Sequence, residues 1–410
     1  MIFFYRIGIA LYLFVIWLLQ LFNKKAKQWI DGRKKIKEKF KTLAFQGDVV
    51  WFHVSSLGEF EQGRPIVERI KTDFPTIKVV LTFFSPSGYE IRKNYSYADA
   101  VFYLPIDTPS NARLVYDCIN PKLVVFVKYD FWYFYIREAN RRNIPIILVS
   151  SVFKPNQIFF KWYGQFFRRL LRYFSFIFVQ DEQSAELLKK IEIKSEVTGD
   201  TRCDRVIQIA QKPLVLNDIR NFIGERFTIV CGSLWNEDLQ ILKEIINTSN
   251  KKVVWIIAPH NIDEDYLCVL EKQIKLPQIR YSFLTNHKQT EAQVLIIDNI
   301  GMLASIYQFA KIAYIGGGFG KGIHNILEPA VFGVPVIFGP KYHKFNEATE
   351  MIASKAAFSI SNVREAMNVF NLLIMNDAER KQIAHNAYEY IQKKSGATEK
   401  ILAKIKFLLS

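Results

Sequence analysis

Residues 312–340 read IAYIGGGFGKGIHNILEPAVFGVPVIFGP, and this stretch decides the fold class. It starts with an apolar run of strand length, passes through a loop rich in glycine, and ends in a second apolar run, VPVIFGP, at 334–340. Apolar runs without alternation are typical of parallel strands that are buried on both faces. The stretch therefore predicts one unit of a doubly wound α/β sheet, with its ligand-binding loops at the carboxyl ends of the strands.

Outward from this stretch, the same kind of run recurs along the chain in two series. The runs of the first series occupy 49–56, 78–84, 100–106, 122–128, 144–151 and 174–180, and those of the second occupy 227–233, 251–259, 294–298, 312–318 and 334–340. Amphipathic stretches with helical spacing separate them, such as 181–191 with Asp181 as N-cap. We predict two Rossmann-like domains in tandem that face a cleft.

The predicted domain organisation has four parts. Residues 1–22 are a membrane anchor, and 23–45 are a basic juxtamembrane linker. An N-terminal Rossmann-like domain follows at 46–212, and a C-terminal one at 213–410, whose last helix is free to pack back on the N-terminal domain. A length of 410 residues suits two domains rather than one core.

The amino terminus is apolar for about twenty positions, the length that crosses the hydrocarbon core of a bilayer. Positions 23–41 then hold nine Lys/Arg against two acidic residues. By the positive-inside rule this flank stays in the cytoplasm, next to anionic headgroups. We expect an inner (cytoplasmic) membrane protein whose domains face the cytoplasm; a cleaved signal peptide and a buried core helix are the alternatives.

The charge of the whole chain is strongly positive. Lys and Arg number 55 and Asp and Glu 39, a net charge of +16, so phosphate-bearing partners are expected.

The four cysteines lie singly, which excludes a disulfide framework and a zinc site; we expect no metal and no cofactor.

Two loops are the main candidates for chemistry. SSLGEFEQG (55–63) follows the first strand and places Glu59 just before a helix that we expect to begin near Gln62 or Pro65. Glu59 fits a general base, although a carboxylate that stabilises the helix dipole is an equal reading. In the loop of 315–340, Gly317 and Gly318 would let backbone amides approach phosphate or sugar oxygens. The helix that opens around 325–328 would bring an acid to a ribose diol.

Three further loops follow strands of the second half, at 231–238, 258–263 and 298–303. Each offers a polar residue near a helix start: Ser233, His260 and Asn299. A basic aromatic stretch at 153–174 suits either single-stranded nucleic acid or a helix lying among lipid headgroups. The neighbouring anchor favours the membrane, and the chain has no recognisable nucleic-acid-binding motif.

Four motifs in order resemble those of 3-deoxy-D-manno-oct-2-ulosonic acid (Kdo) transferases, the enzymes of lipopolysaccharide assembly. They are HVSSLGE (53–59), TGDTRCD (198–204), GS-x₃-ED (232–238) and GKGIHNILEPAVFGVPVIFGP (320–340). The resemblance spans nearly the whole chain. It implies a membrane-associated GT-B glycosyltransferase that moves Kdo from CMP-Kdo to lipid IVA or a related lipid A precursor, by inversion and without a metal.

The resemblance also assigns residues. Glu59 matches the catalytic base of the family, and Arg202 stands where a lysine is usual. Asp130 replaces the second acid of a Glu-Thr-Glu motif, and Lys128 replaces the first. The expected donor contacts, from the family motifs and the loops above, are Ser233, Pro259, His260, Ile300, Gly301, Met302, Gly317, Gly318, His324, Asn325, Ile326, Leu327 and Glu328.

Two alternatives remain open on the sequence. The Pro-Arg-His of many family members is Pro259-His260-Asn261 here, which leaves no arginine beside the donor phosphate. Another membrane-associated GT-B enzyme that uses a UDP-sugar would share the domain plan. A non-catalytic membrane scaffold with a degenerate transferase fold would account for the changes at Lys128 and Asp130.

Overall fold

The protein is described here from a computed structural model, which covers residues 2–284 and 291–409. Of the predicted domain ranges, positions 1, 285–290 and 410 lie outside these residues. The chain forms two compact units: one holds the residues up to Asp204 together with those from Lys394 onward, and the other runs from Arg205 to Lys393.

The first unit is built on a sheet of seven parallel strands in the order β3-β2-β1-β4-β5-β6-β7. Their bounds are β1 Val49–Val54, β2 Lys78–Phe83, β3 Ala100–Tyr103, β4 Leu123–Val127, β5 Ile146–Ser151, β6 Phe176–Val179 and β7 Glu196–Val197. β1 pairs in parallel with both β2 and β4. The loops that leave β1 and β4 are therefore neighbours.

The second unit repeats this plan. Its seven parallel strands run in the order β10-β11-β9-β8-β12-β13-β14. Their bounds are β8 Phe227–Leu234, β9 Val253–Pro259, β10 Gln278–Arg280, β11 Val294–Ile296, β12 Ile312–Ile315, β13 Val336–Phe338 and β14 Ala357–Ser359. The central strands are fully buried because helices cover both faces.

Twenty α-helices fall within the described residues. They are α1 Ile2–Leu19, α2 Lys24–Asp31, α3 Ile36–Lys41, α4 Leu57–Asp73, α5 Pro86–Arg92, α6 Pro109–Ile119, α7 Tyr133–Arg141, α8 Gln165–Leu171, α9 Glu182–Lys189, α10 Thr201–Gln211, α11 Asn217–Ile223, α12 Asn236–Asn247, α13 Glu264–Gln273, α14 Tyr281–Leu284, α15 Leu303–Ile306, α16 Leu327–Ala330, α17 Asn346–Ala353, α18 Val363–Met375, α19 Asp377–Lys394 and α20 Ala397–Leu409.

The predicted pair of doubly wound sheets is confirmed, since each of the eleven apolar runs contains a strand. Asp181 also caps α9, by accepting from the amide of Ser184 at 2.7 Å. The short strands β7, β10 and β14 at the sheet edges were missed. A strand of two or three residues that is only partly buried has no apolar run by which to recognise it.

The first helix, α1, is long and apolar enough to cross a membrane, and none of its residues is buried. The core-helix alternative is therefore wrong. The helix nevertheless contacts its own unit, because the Tyr5 hydroxyl donates to buried Asp107 at 2.5 Å. Asp107 also accepts from the backbone amides of Phe134 and Tyr135 at the start of α7.

The segment expected to be a linker, 23–45, is folded into α2 and α3. Arg33 lies between them, with its guanidinium 3.8 Å from the centre of the Trp29 ring. It donates to the carbonyls of Leu104 at 3.0 Å and Phe84 at 2.7 Å. Burial lowers the pKa of Arg33 to about 9. The basic segment is thus attached to the first unit through Arg33 and through the core residues Ile36 and Phe40.

The basic aromatic stretch 153–174 is not one continuous helix. It consists of a 3₁₀ turn at Ile158–Phe160 and the short helix α8. Phe153, Phe159 and Phe174 belong to the hydrophobic core, whereas Trp162 is exposed. Some aromatic residues of this stretch therefore pack in the core and others are exposed, and their spacing in the sequence does not distinguish the two groups.

Candidate functional site

The loops after β1 and β4 bring two carboxylates into one cluster. α4 begins at Leu57 rather than near Gln62 or Pro65, because extended Ser56 is its N-cap and Ser56 O accepts from the Phe60 amide. Glu59 therefore lies in the first helical turn, half-buried, and accepts a hydrogen bond from the Ser56 hydroxyl. Its neighbour Ser55 donates its hydroxyl to Asp130 in the loop after β4.

Asp130 is 5% exposed, and its Oδ2 has no hydrogen-bond partner. Burial raises the pKa of Asp130 well above its usual value, and the charge of Glu59 raises it further, against the hydrogen bonds from Ser55. Two close carboxylates resist ionising together. The arrangement therefore favours a proton on Asp130.

His53, near the end of β1 and just before this loop, is neutral. Its Nε2 accepts from the indole N–H of Trp132 at 3.0 Å, so Nδ1 carries the proton and faces the Thr82 hydroxyl at 2.9 Å. Burial lowers the pKa of His53 to about 3. Its Nε2 lies 3.7 Å from Asp130, and the contact is not an ion pair because the ring is uncharged. His53 orients Trp132 and lines the cluster.

Arg202 lies at the start of α10 and is held by Asp200, with 2.7 Å between Nη2 and Oδ2. Asp200 is buried, which opposes its ionisation, but Arg202 and Lys128 together lower its pKa below the usual value. Lys128 adopts a left-handed backbone with φ of 67° just before Asp130. Two cations thus surround one buried carboxylate in the first unit.

The second unit contains a pocket of about 340 Å³ at the carboxyl ends of its strands. Five of the predicted donor residues line it, together with Tyr307 and Ile315; they are Ser233, Gly301, His324, Asn325 and Glu328. The Asn325 amide donates to Glu328 at 3.0 Å, which orients a carboxylate at the pocket wall. Ser233 has a left-handed backbone with φ of 52°, the kind of local strain that clusters at functional sites.

A stack of three rings, Trp235, His260 and His324, adjoins this pocket through His324. The His260 ring lies 3.9 Å from the Trp235 ring and is nearly parallel to it, and Trp235 Nε1 donates to His324 Nε2 at 3.0 Å. Burial and the nearby His260 lower the pKa of His324 to about 4. Burial and then the charge of Lys321 lower the pKa of His260. Both histidines are thus neutral at pH 7, and Lys321 supplies the positive charge.

The glycine loop is held in place by Asp238, whose side chain is 0% exposed. Asp238 accepts from the Gly317 amide at 2.7 Å, the Trp235 amide at 3.0 Å and the Tyr314 hydroxyl at 2.8 Å. The Gly317 amide is therefore used within the protein rather than presented to a ligand. A Cβ on Gly318 would lie 2.5 Å from the Gly339 nitrogen, so this glycine permits loop packing.

The remaining predicted donor residues differ in exposure. The side chains of Ile326 and Leu327 belong to the buried core, so that only their backbone is available to a ligand. Met302 is likewise buried, whereas Ile300 is 88% exposed beside Gly301, whose φ is 108°. Pro259 ends β9 as a buried residue.

The sequence predicts no role for Trp235, Asp238 or Lys321. Asp238 and Trp235 do lie in the motif at 232–238, but no spacing rule reveals that one would hold the glycine loop and the other would stack on histidine. Lys321 lies between two glycines, where a cation at a phosphate loop could have been suspected. Among the described residues, no group of three or more His, Cys, Asp or Glu is arranged to hold a metal ion.

Comparisons with known proteins agree with these features. Residues 33–205 match a sequence model described as 3-deoxy-D-manno-octulosonic-acid transferase (kdotransferase). The chain is 28% identical to a 3-deoxy-D-manno-octulosonic acid transferase of Aquifex aeolicus over 81% of its own length and 88% of that protein. It is 26% identical to the protein of the same name from Haemophilus influenzae over 87% and 86% of the two chains.

Among solved structures, UDP-GlcNAc 2-epimerase from Neisseria meningitidis superposes with a TM-score of 0.61 at 16% identity. The match covers 88% of this chain and 99% of that one, and it shows the shared fold alone. Together with the two parallel sheets and the loop motifs, these relatives make the chain similar to 3-deoxy-D-manno-octulosonic acid transferases over most of its length.

Proposed function

We propose that the chain transfers Kdo from CMP-Kdo to a lipid IVA-type acceptor with inversion, and that Glu59 is the general base. The observation that carries the proposal is the cluster of Glu59, Asp130, Ser55 and Ser56. A general base needs a charged, accessible carboxylate. Glu59 is half-buried and held by one hydroxyl, while its buried neighbour Asp130 favours the protonated state.

The transfer step balances without an added reactant. Glu59 takes the proton of the acceptor hydroxyl as its oxygen bonds to the anomeric carbon of Kdo. The bond from that carbon to the phosphate oxygen breaks, and its electron pair leaves with CMP. Charge builds on the departing phosphate, so a nearby cation lowers the barrier.

The second unit would hold the donor. Glu328, oriented by Asn325, suits the two hydroxyls of a ribose, and Ser233 offers a further polar group in the same pocket. Lys321 would bind the phosphate in place of the absent arginine, because its ammonium lies 5.5 Å from the centre of the Trp235 ring and its charge acts on His260. Arg202 and Lys128 would serve anionic groups in the first unit.

We also propose that α1 and the basic segment 23–41 hold the enzyme at the inner membrane with both units in the cytoplasm. The apolar surface of α1 is exposed along its length, and the acceptor itself is a membrane lipid. The first unit would hold the acceptor and the second unit the donor, as the predicted ranges 46–212 and 213–410 propose, although the two units themselves divide at Asp204 and Lys394. No nucleic acid enters this function.

The deciding experiment is the transfer of labelled Kdo from CMP-Kdo to lipid IVA by the purified chain in detergent. Glu59→Gln should abolish product while CMP binding is retained. Glu182→Gln is the matched control, since Glu182 occupies the first turn of α9 and is exposed. Full turnover by Glu59→Gln would remove this residue from the mechanism.

The donor is tested separately by competition. CMP should displace a labelled donor analogue, whereas UDP at the same concentration should not. Displacement by UDP alone would reject CMP-Kdo in favour of a UDP-sugar. Binding of CMP without turnover on any acyl-disaccharide acceptor would favour a non-catalytic scaffold.

A further inference from the structure

A groove of about 770 Å³ opens beside the first turn of α1. Its walls are Phe3 of α1, Tyr133 at the start of α7, and aromatic side chains between 162 and 173. Trp162 is 90% exposed there. Among the described residues that line the groove, Arg169 is the one charged side chain. The groove is therefore mainly aromatic and apolar, which suits an acyl chain.

A second pocket, of about 360 Å³, lies at the start of α6 and along α7. It is lined by Arg113, Arg137 and Arg141, with Glu138 as its acidic residue. Glu138 is paired with Arg141 at 2.6 Å. Within residues 2–284 and 291–409, no carboxylate pairs with Arg113 or Arg137. This arginine pocket suits a phosphate.

Tyr5 stands between the groove and the arginine pocket. Its ring centre lies 5.7 Å from that of Tyr133, which lines the groove, and 5.9 Å from that of Phe134, which lines the arginine pocket. The guanidinium of Arg6 lies 5.4 Å from the Phe134 ring centre. The groove and the arginine pocket thus flank the first turn of α1.

We propose that the groove and the arginine pocket together form the binding site for the acceptor lipid, with an acyl chain in the groove and a phosphate in the arginine pocket. The inference rests on the proposed function and names where that substrate is held. Long apolar surface next to unpaired arginines matches a phosphorylated, acylated molecule.

One observation gives a membrane lipid a route into the groove, and a second favours the acceptor over an ordinary bilayer lipid. α1, whose exposed apolar surface would lie in the membrane, supplies Phe3 to the groove, so an acyl chain can enter from the bilayer. Tyr133 of the groove follows directly on the loop that carries Asp130 and Trp132. A lipid in the groove therefore has its headgroup near the carboxylate cluster of the same unit.

The first test measures binding without turnover. Acceptor lipid that carries dibrominated acyl chains, in detergent micelles, should quench tryptophan fluorescence, because bromine would lie against Trp162. Trp17, exposed on α1, would be quenched by any brominated lipid, so the signal of the groove is the difference in quenching between the wild type and Trp162→Phe. An equal difference with a dibrominated phosphatidylglycerol at the same mole fraction would overturn the assignment to the acceptor.

The second test separates binding of the acyl chain from binding of the phosphate by enzyme kinetics. Trp162→Ala should raise KM for the acylated acceptor roughly tenfold and leave KM for its deacylated sugar bisphosphate unchanged, because only apolar contact is lost. Arg137→Gln should raise KM for both bisphosphate acceptors by about tenfold. Phe283→Ala and Arg364→Gln, at exposed positions in the second unit, are the matched controls.

The outcomes for the two proposals differ. Unchanged KM in both Trp162→Ala and Arg137→Gln, with normal turnover by the wild type, would overturn the acceptor site and leave the transferase activity standing. Failure of the wild type to transfer Kdo would reject the activity. The quenching experiment would then still show whether an acylated phosphosugar occupies the groove.

Discussion

Removal of the Asp238 carboxylate should loosen the glycine loop and weaken donor binding. The side chain accepts from two backbone amides and one hydroxyl, and it is fully buried. In Asp238→Ala the amides of Trp235 and Gly317 lose their partner inside the protein. Each buried donor left unsatisfied costs about 1–3 kcal/mol, so we expect a loss of about 4 kcal/mol in the free energy of unfolding.

Asp238→Asn should cost far less, about 1 kcal/mol, because one amide oxygen can still accept from both backbone N–H groups. The new NH₂ group then faces the Tyr314 hydroxyl, which can rotate and accept instead of donating. The two substitutions therefore separate the loss of hydrogen bonds from the loss of charge.

The assay is urea-induced unfolding together with calorimetric titration of CMP. We expect CMP affinity to fall at least tenfold in Asp238→Ala and to stay within about threefold of the wild type in Asp238→Asn. Asp265→Ala, an exposed carboxylate in the first turn of α13, is the control and should change neither quantity. Wild-type stability and CMP affinity in Asp238→Ala would refute the reasoning.

Three further predictions concern charge. Lys321→Gln should weaken CMP binding about tenfold in calorimetry through loss of the phosphate cation, whereas Lys251→Gln, an exposed control, should not. Arg33→Met should lower the free energy of unfolding by about 3 kcal/mol in urea titrations, because the Leu104 and Phe84 carbonyls lose their donor; an unchanged midpoint would contradict this. Burial raises the pKa of Asp107 from 3.8 to about 6, so the folded state holds its proton more tightly than the unfolded state. The contribution of protonated Asp107 to the free energy of unfolding is complete below about pH 4 and is lost as the pH rises to 6, a change of about 3 kcal/mol. The stability difference between the wild type and Asp107→Asn should therefore change by that amount between pH 4 and 7, and a constant difference would contradict the assignment.

The sequence by itself determined the two parallel sheets. Strands buried on both faces must be apolar at every position, so each central strand is visible as a run of Val, Ile and Phe without knowledge of its neighbours. The loops that follow those strands were recognisable for the same reason, and Glu59, Ser233 and Glu328 were named from their place after a strand. The apolar length of α1 likewise needed no partner to be recognised.

The tertiary structure alone decided which groups meet. Asp130 and Ser55 are 75 residues apart and form a hydrogen bond because β1 and β4 are neighbours in the sheet. His324 and Trp235, 89 residues apart, meet by the same logic across β8 and β12. The buried state of Asp130 and the use of the Gly317 amide by Asp238 also depend on packing. Local sequence carries backbone preference and hydrophobicity, whereas hydrogen-bond partners and pKa values arise from what the fold brings alongside.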